Sequence, residues 1–507
     1  MRIQDGVQDI LRQAEVKVEG EQMLLSGQLE WSLSLPTHDH QLPHRLEQQV
    51  ETVGQALKRQ LFGLLLECAD ADAVLEARAG KEGQGIQSRG TRPYPFKTRF
   101  GTVTIARRRV SQRRDQQMTV PSAQAWQTPP RLCITQGLRD EVCDGMRDLS
   151  VRHTHERLDA QAAEEDVLGD ATIVALVHEE GKQLLAAGRQ RAQDVLGRYP
   201  EAAVHLLAGA DPASAVAKED ADTAAVAEEV SRAEVLQTAV GFVGAAAVAE
   251  AVTEEQPRQV DEGSVLLQVD EVKTKAQAHC AVSAQWVYTG VLLVGNLRYY
   301  LAEATPAHLW RQVAALLCVL GVGTGQRRLV LLADGAAWIR RWFEHLDVAG
   351  KCMILCWFHL AEKCYQRLSA AGCSKERRQA LEKEILGHLW EGRLDEALQA
   401  LNRCRAEMRQ PKFIDDLLQY LEKRRVYLPN YKERHAAGLW IASNRVEKWN
   451  DWAVSQRCKH QGMSWTEAGV LALASLQAAR YNQELEHWRS QRSLPPWPLP
   501  ETLPQAA

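Results

Sequence analysis

No run of apolar residues in this 507-residue chain approaches the roughly 20 needed to cross a bilayer as a helix, and the longest runs, such as residues 289–297, fall far short of it. A membrane-spanning protein is therefore not expected. The opening segment, MRIQDGVQDILRQAEVKVEG, is polar and lacks the apolar core of a secretory leader. The eleven cysteines are odd in number and scattered, without the spacing of a disulfide framework, so a reducing, cytoplasmic setting is expected. An excess of either charge is lacking too: 61 Lys and Arg stand against 65 Asp and Glu, a formal net charge of −4. Taken whole, that balance argues against a partner gripped through its phosphates, because domains that do so are basic. The chain is 45% hydrophobic, which excludes wholly disordered and fibrous classes, and its length suits about three domains.

What is present is unevenly distributed. Residues 45–80 predict an amphipathic helix, with Val50, Val53, Leu57, Leu61, Leu64 and Leu65 at helical spacing. Gly80, Gly83, Gly85, Gly90, Pro93 and Pro95 then predict a loop. Over residues 86–114 nine basic residues (Arg89, Arg92, Lys97, Arg99, Arg107, Arg108, Arg109, Arg113 and Arg114) meet no acidic one, a local charge of +9. The strand-like TRFGTVTIARRRV lies inside this stretch. With Tyr94, Phe96 and Phe100 among the charges, the segment predicts DNA contact by phosphate neutralisation, chiefly through Arg107, Arg108, Arg109, Arg113 and Arg114; a solvated face is the plainer alternative. Residues 201–256 carry 18 alanines and eleven acidic residues against two basic ones, a local charge of −9. That composition predicts a solvated helix or linker. The two segments cancel, so the total of −4 says nothing against a DNA partner.

From residue 264 the pattern turns α/β. SVLLQVD (264–270) predicts a buried strand, and residues 285–302 predict two more that turn near Gly295 and Asn296. A helix from Pro306 to Gly321, a strand over 327–335, a helix in AAWIRRWFEHL and a strand over 351–358 follow. Residues 360–428 are almost continuously helical in pattern. The order β-β-β-α-β-α-β is the layout of a ribonuclease-H-like fold. The expected class is therefore α/β, a ribonuclease-H-like catalytic core interrupted by an all-helical insertion, with a mainly helical N-terminal DNA-binding region. The expected division is 1–128, holding the helix and the basic strand-containing segment; 129–200, helical, with room for a helix-turn-helix unit; and 201–260, an acidic Ala-rich linker. The catalytic domain follows over 261–490 with its insertion at about 360–440, and then a Pro-rich disordered tail over 491–507.

In such a sheet the first and fourth strands are neighbours, so Asp270 and Asp334 can face one metal ion, and Glu447 on a later helix can supply a third oxygen. Hard oxygen donors suit Mg²⁺ or Mn²⁺, and two such ions serve phosphodiester chemistry. Each residue also has a plainer reading. Asp270 can simply end a strand, Asp334-Gly335 can be a turn that caps the next helix, and Asn444-x-x-Glu447 fits a capping box. Jointly, carboxylates at the predicted strand ends in the right order favour a site. Glu271, next along the strand, should face the other side of the sheet. The spacing Cys352-x3-Cys356-x2-His359-x4-Cys364 raises zinc as an alternative, but cysteines along one strand do not converge on a point.

LLADGAAWIRRWFEHL, ILCWFHLAEKCYQRL and SNRVEKWNDWAVSQRCKHQGMSWTEAGVLAL resemble bacterial insertion-sequence transposases of the DDE type, the Kra-type group with its Mutator-like relatives. The resemblance covers roughly residues 264–490 and, more weakly, TRFGTVTIARRRV. It implies that Asp270, Asp334 and Glu447 are the catalytic, metal-binding carboxylates and that Cys356 and His359 form the C/D-x-x-H element, His359 lying at the active site. It also implies that Arg457 and Lys459 belong to a DNA-contacting signature. The implied activity is metal-dependent cleavage and joining of double-stranded DNA at terminal inverted repeats and a target. The implied setting is a bacterial cytoplasm, at the nucleoid when bound to DNA, with a homodimer or higher assembly on DNA and no membrane partner. The rival readings are a structure-selective nuclease of the same fold, a non-catalytic DNA-binding protein derived from a transposase, and a zinc-stabilised interaction protein.

Overall fold

A computed structural model of the chain describes residues 11–19, 22–29, 41–79, 85–112, 118–208, 232–243, 260–261, 263–278, 280, 282–459 and 465–497. The chain forms two compact units, Met1–His178 and Glu179–Ala507.

The first unit is mixed rather than mainly helical. Strands β1 (Leu11–Glu19) and β2 (Gln22–Leu29) form an antiparallel hairpin. The amphipathic pattern becomes the 38-residue helix Leu42–Ala79. Next come β3 (Ile86–Thr98) and β4 (Gly101–Gln112), a long antiparallel hairpin. The short strands β5 (Met118–Thr119) and β6 (Cys133–Ile134) extend it to the order β5-β4-β3-β6. The loop expected from Gly80 to Pro95 is thus a strand from residue 86 on, and residues 80–84 lie outside the described residues. Pro93 and Pro95 are two residues apart and so turn their missing N–H groups to the same side, which an edge position tolerates. Tyr94, Phe96, Val103 and Ile105 form the core, packed by Phe62, Leu66, Trp126 and Cys133. The helices Gln136–Asp148 and Val151–Ala162 complete the unit before the long helix Asp170–Arg198 begins.

The second unit is built on β7 (Ser264–Lys275), β8 (Ala284–Val294), β9 (Leu297–Glu303), β10 (Arg328–Ala333) and β11 (Cys352–Leu355). Their order is β11-β10-β7-β8-β9; β7, β8 and β9 pair antiparallel, whereas β10 lies parallel to both β7 and β11. The helices Pro306–Val319 and Ala337–His345 make the crossovers around β10. Their facing tryptophans, Trp310 and Trp342, stack at 4.0 Å. The fifth strand is shorter than the sequence implies: Cys356 ends it, and Trp357 opens the helix Trp357–Ala371.

Helices Lys375–Trp390, Leu394–Cys404, Lys412–Lys423 and Tyr431–Ala436 follow, gathered around the buried side chains of Trp357 and Tyr431. The chain then returns to the sheet through the helix Asn444–Asn450, a π-helical turn at Asp451–Ser455 and the helix Glu467–Tyr481.

Two segments expected to be loose are packed. Within the Ala-rich stretch, residues 232–243 form a helix whose Ala239 carbonyl accepts from the Trp357 indole at 3.2 Å, and Phe242 meets the Trp357 ring edge-on. In the Pro-rich tail, Trp497 is buried against Tyr299, with the Arg191 guanidinium 4.5 Å above its ring. The remainder of both stretches lies outside the described residues. No helix among the described residues is long and apolar enough to cross a membrane.

Candidate functional site

The β7–β10 pairing decides where two of the carboxylates go. Arg328 stands opposite Ser264 and Leu332 opposite Gln268, a constant offset of 64, so two residues further on Asp334 falls across from Asp270. Asp270 lies in the middle strand of the sheet, and Asp334 follows the last residue of β10. Asp334 Oδ1 accepts the Ala336 N–H at 2.9 Å, so the turn reading of Asp334-Gly335 and its place beside Asp270 hold together. Glu447 lies on the helix Asn444–Asn450, with Oε1 3.3 Å from the Ser443 hydroxyl, which donates to it. His359, on the first helix after β11, places Nδ1 3.8 Å from Glu447 Oε1.

The field at this point is strongly negative for its degree of burial. Burial, reinforced by the charge of Asp334, pushes the Asp270 carboxyl up to about 7, although His359 pulls the other way. Burial opposes charge on His359 as well, yet Cys356, Glu447 and Asp334 together raise its pKa well above the ordinary value. The ligand atoms of Cys356, His359 and Glu447 lie within 4.8 Å of one another, whereas the three carboxylates do not close to that distance as a group. Among the described residues neither Cys352 nor Cys364 joins such a cluster: Cys352 is exposed at the start of β11 and Cys364 is buried in its helix. The four-residue zinc set is therefore not brought together. Carboxylate oxygens from three elements, one carboxyl raised by burial and then by the charge of Asp334, are donors that suit a divalent cation such as Mg²⁺ or Mn²⁺, whose charge would offset that penalty.

Two amides that carry no motif hold the site together. Gln268, fully buried on β7, accepts the N–H groups of Arg445 (3.1 Å) and Val446 (3.2 Å) at the start of the Glu447 helix, and donates to the Ala442 carbonyl at 3.3 Å. Asn450, at the end of that helix, donates from Nδ2 to Asp270 Oδ2 at 2.6 Å and accepts from the Thr289 hydroxyl. A glutamine inside the apolar run SVLLQVD was the available signal, since a polar residue at a buried strand position must find partners. Glu271 does face the other way, where the Trp338 indole donates to it.

The expected DNA-contacting residues divide. Arg107 is 3% exposed and lies over the rings of Tyr94 (4.0 Å), Trp126 (5.1 Å) and Phe96 (5.2 Å), donating to Thr128 Oγ1 at 2.8 Å. It is part of the first unit's core and is not available to a phosphate. Arg457 is likewise buried, over Trp465, and burial lowers its pKa. Arg108 pairs with the buried Asp70 at 3.1 Å and keeps part of its surface, Arg109 is half-buried, and Lys459 is exposed. Arg113 and Arg114 lie outside the described residues. Alternation along β4 turns Arg107 to the face of Val103 and Ile105, where the rings cover it; Arg92, across from it in the register, lies beyond those rings and is exposed, as are Arg89 and Arg99.

Fold and site thus define an α/β protein that gathers three carboxylates and a histidine at the end of a mixed five-stranded sheet. Residues 217–492 match the model of an uncharacterised protein family, UPF0236, and the chain belongs to that family. No curated protein matches the chain.

Proposed function

We propose that the chain is a DNA transposase of the DDE type, with a ribonuclease-H-like core that cleaves and joins DNA strands. The observation that carries the reading is the register of parallel β10 on the middle strand β7, which continued past the end of β10 brings Asp334 across from Asp270. Glu447, carried back to the sheet after a helical insertion, lies near enough for its charge to act on Asp270. In this reading Asp270, Asp334 and Glu447 hold Mg²⁺ or Mn²⁺, two ions in the working complex. When bound, such ions polarise a phosphodiester and activate the oxygen that attacks it.

The residues do the rest. The three carboxylates present oxygen ligands from three separate elements. His359, its Nδ1 3.8 Å from Glu447 Oε1, sets a positive charge beside that carboxylate. The exposed basic side chains of β3 and its turn, Arg89, Arg92 and Arg99, neutralise phosphates and position the duplex without reading its bases. Water attacks phosphorus at the element end, the P–O3′ bond breaks, and a 3′-hydroxyl and a 5′-phosphate result. That hydroxyl then attacks a target phosphodiester and expels the target's 3′-oxygen. One ester forms as one breaks, so the joining step requires no nucleotide cofactor and no covalent protein intermediate. Acting on two element ends, the protein works as a dimer or larger assembly.

The test is purified protein with labelled DNA carrying the inverted repeats that flank the coding sequence, in Mg²⁺. Cleavage followed by joining is expected, and Asp334→Asn should abolish both. If the variant cleaves as well as the parent, the assignment is wrong. Cleavage without joining would favour a structure-selective nuclease.

A further inference from the structure

Asn450 has no role in the chemistry described above, yet its carboxamide lies 2.6 Å from the Asp270 carboxylate. It lies three residues after Glu447, one helical turn along the same face, and only 7% of it is exposed. Its carboxamide is oriented from both ends: Oδ1 accepts from the fully buried Thr289 hydroxyl, and Nδ2 donates to Asp270 Oδ2 at 2.6 Å. Thr289 stands opposite Asp270 in the β7–β8 register, so the strand pair itself fixes the amide.

We propose that Asn450 is a positioning residue of the carboxylate centre, tying the helix that carries Glu447 to Asp270 itself and fixing the rotation of the Asp270 carboxylate. The inference rests on the reading of Asp270, Asp334 and Glu447 as ligands of a divalent cation. With Gln268 anchoring the start of the same helix, Glu447 is suspended between two amide contacts to β7, one on each side of it in the chain. The neutrality of the amide matters. A lysine here would pair with Asp270 and compete with the cation, and an aspartate would add a fourth like charge to a cluster already short of positive charge. A carboxamide orients one oxygen of Asp270 and changes no charge. Partners that orient a ligand in this way commonly set affinity by ten- to a hundredfold.

The experiment is Mn²⁺ binding to the full chain without DNA, by calorimetry and by electron paramagnetic resonance, with folding followed by circular dichroism. The parent should bind, and Asp334→Asn should not; if parental binding does not depend on Asp334, the reading of the carboxylates fails first and is recognised as such. Asn450→Ala should weaken Mn²⁺ binding by roughly tenfold or more while the chain stays folded. Thr289→Val, which keeps the asparagine and frees its orientation, should weaken binding in the same direction by less. Parental affinity in a folded Asn450→Ala chain overturns the proposal. So does failure of both variants to fold, because the amide would then serve the fold and not the centre.

Discussion

The raised pKa of Asp270 makes the metal-free second unit less stable as pH rises, and the size of the effect follows from the structure. The folded chain holds the Asp270 proton up to about 7, whereas the unfolded chain releases it near the ordinary value of 3.8. Between those pH values the folded state binds one more proton than the unfolded state, so stability falls as pH climbs from about 4 to about 7 and levels off above. The full difference is about 4 kcal/mol, as an upper bound, and roughly 2–3 kcal/mol of it falls between pH 5 and pH 8. Asp270→Asn removes the charge and keeps an oxygen for Asn450 to donate to. In EDTA at pH 8 the variant should therefore be more stable than the parent, and its melting temperature should lose about 5 °C less than the parent's between pH 5 and pH 8. Tryptophan fluorescence is the natural readout, since twelve of the fourteen tryptophans lie in residues 179–507. Added Mg²⁺ should close the gap from the parent's side only, because the variant lacks the charge to be neutralised. A variant no more stable than the parent at pH 8, or one whose melting point falls as steeply with pH, refutes the reasoning.

Two further outcomes separate packing from binding. Arg107→Ala should destabilise the first unit by roughly 2 kcal/mol or more, seen in urea unfolding, yet leave the salt dependence of DNA binding unchanged, because its guanidinium is covered by three rings. Arg92→Ala should do the reverse, reducing the slope of log affinity against log salt by about one with little change in stability. Gly181→Ala should destabilise the second unit by about 3 kcal/mol in the same assay. An added Cβ would lie 2.2 Å from the Ala472 Cα, where the helices Asp170–Arg198 and Glu467–Tyr481 touch and no side chain can swing away.

The sheet of the second unit was legible because its strands are apolar on both faces and its turns are marked: residues 264–270 and the Gly295-Asn296 turn fall where the residue pattern puts them. The adjacency of the first and fourth strands was expected from the layout of the elements, but the register that carries Asp334 toward Asp270 was contained in no local pattern and became visible only in the pairing. β3 was hidden because Gly90, Pro93 and Pro95 punctuate a strand that runs along an edge there. Charge misled for a related reason. Arg107, Arg108 and Arg109 read alike in a row, but a strand alternates its faces, and Arg107 goes inward to lie on aromatic rings. Gln268 and Asn450 could not be found by charge or spacing, since neutral amides act through contacts made across about 180 residues of chain.

That separation also sets a clock. Asp270 leaves the ribosome 177 residues before Glu447 does, since 447 − 270 = 177. At roughly 5–20 residues per second the gap is on the order of 10–35 s. Throughout it the nascent chain has two carboxylates and no Glu447 helix to complete the set, and any product that stops within the helical insertion lacks the third carboxylate permanently. If the proposed DNA cleavage is the activity, it would thus be silent in a chain still being made, and abortive chains would carry none of it.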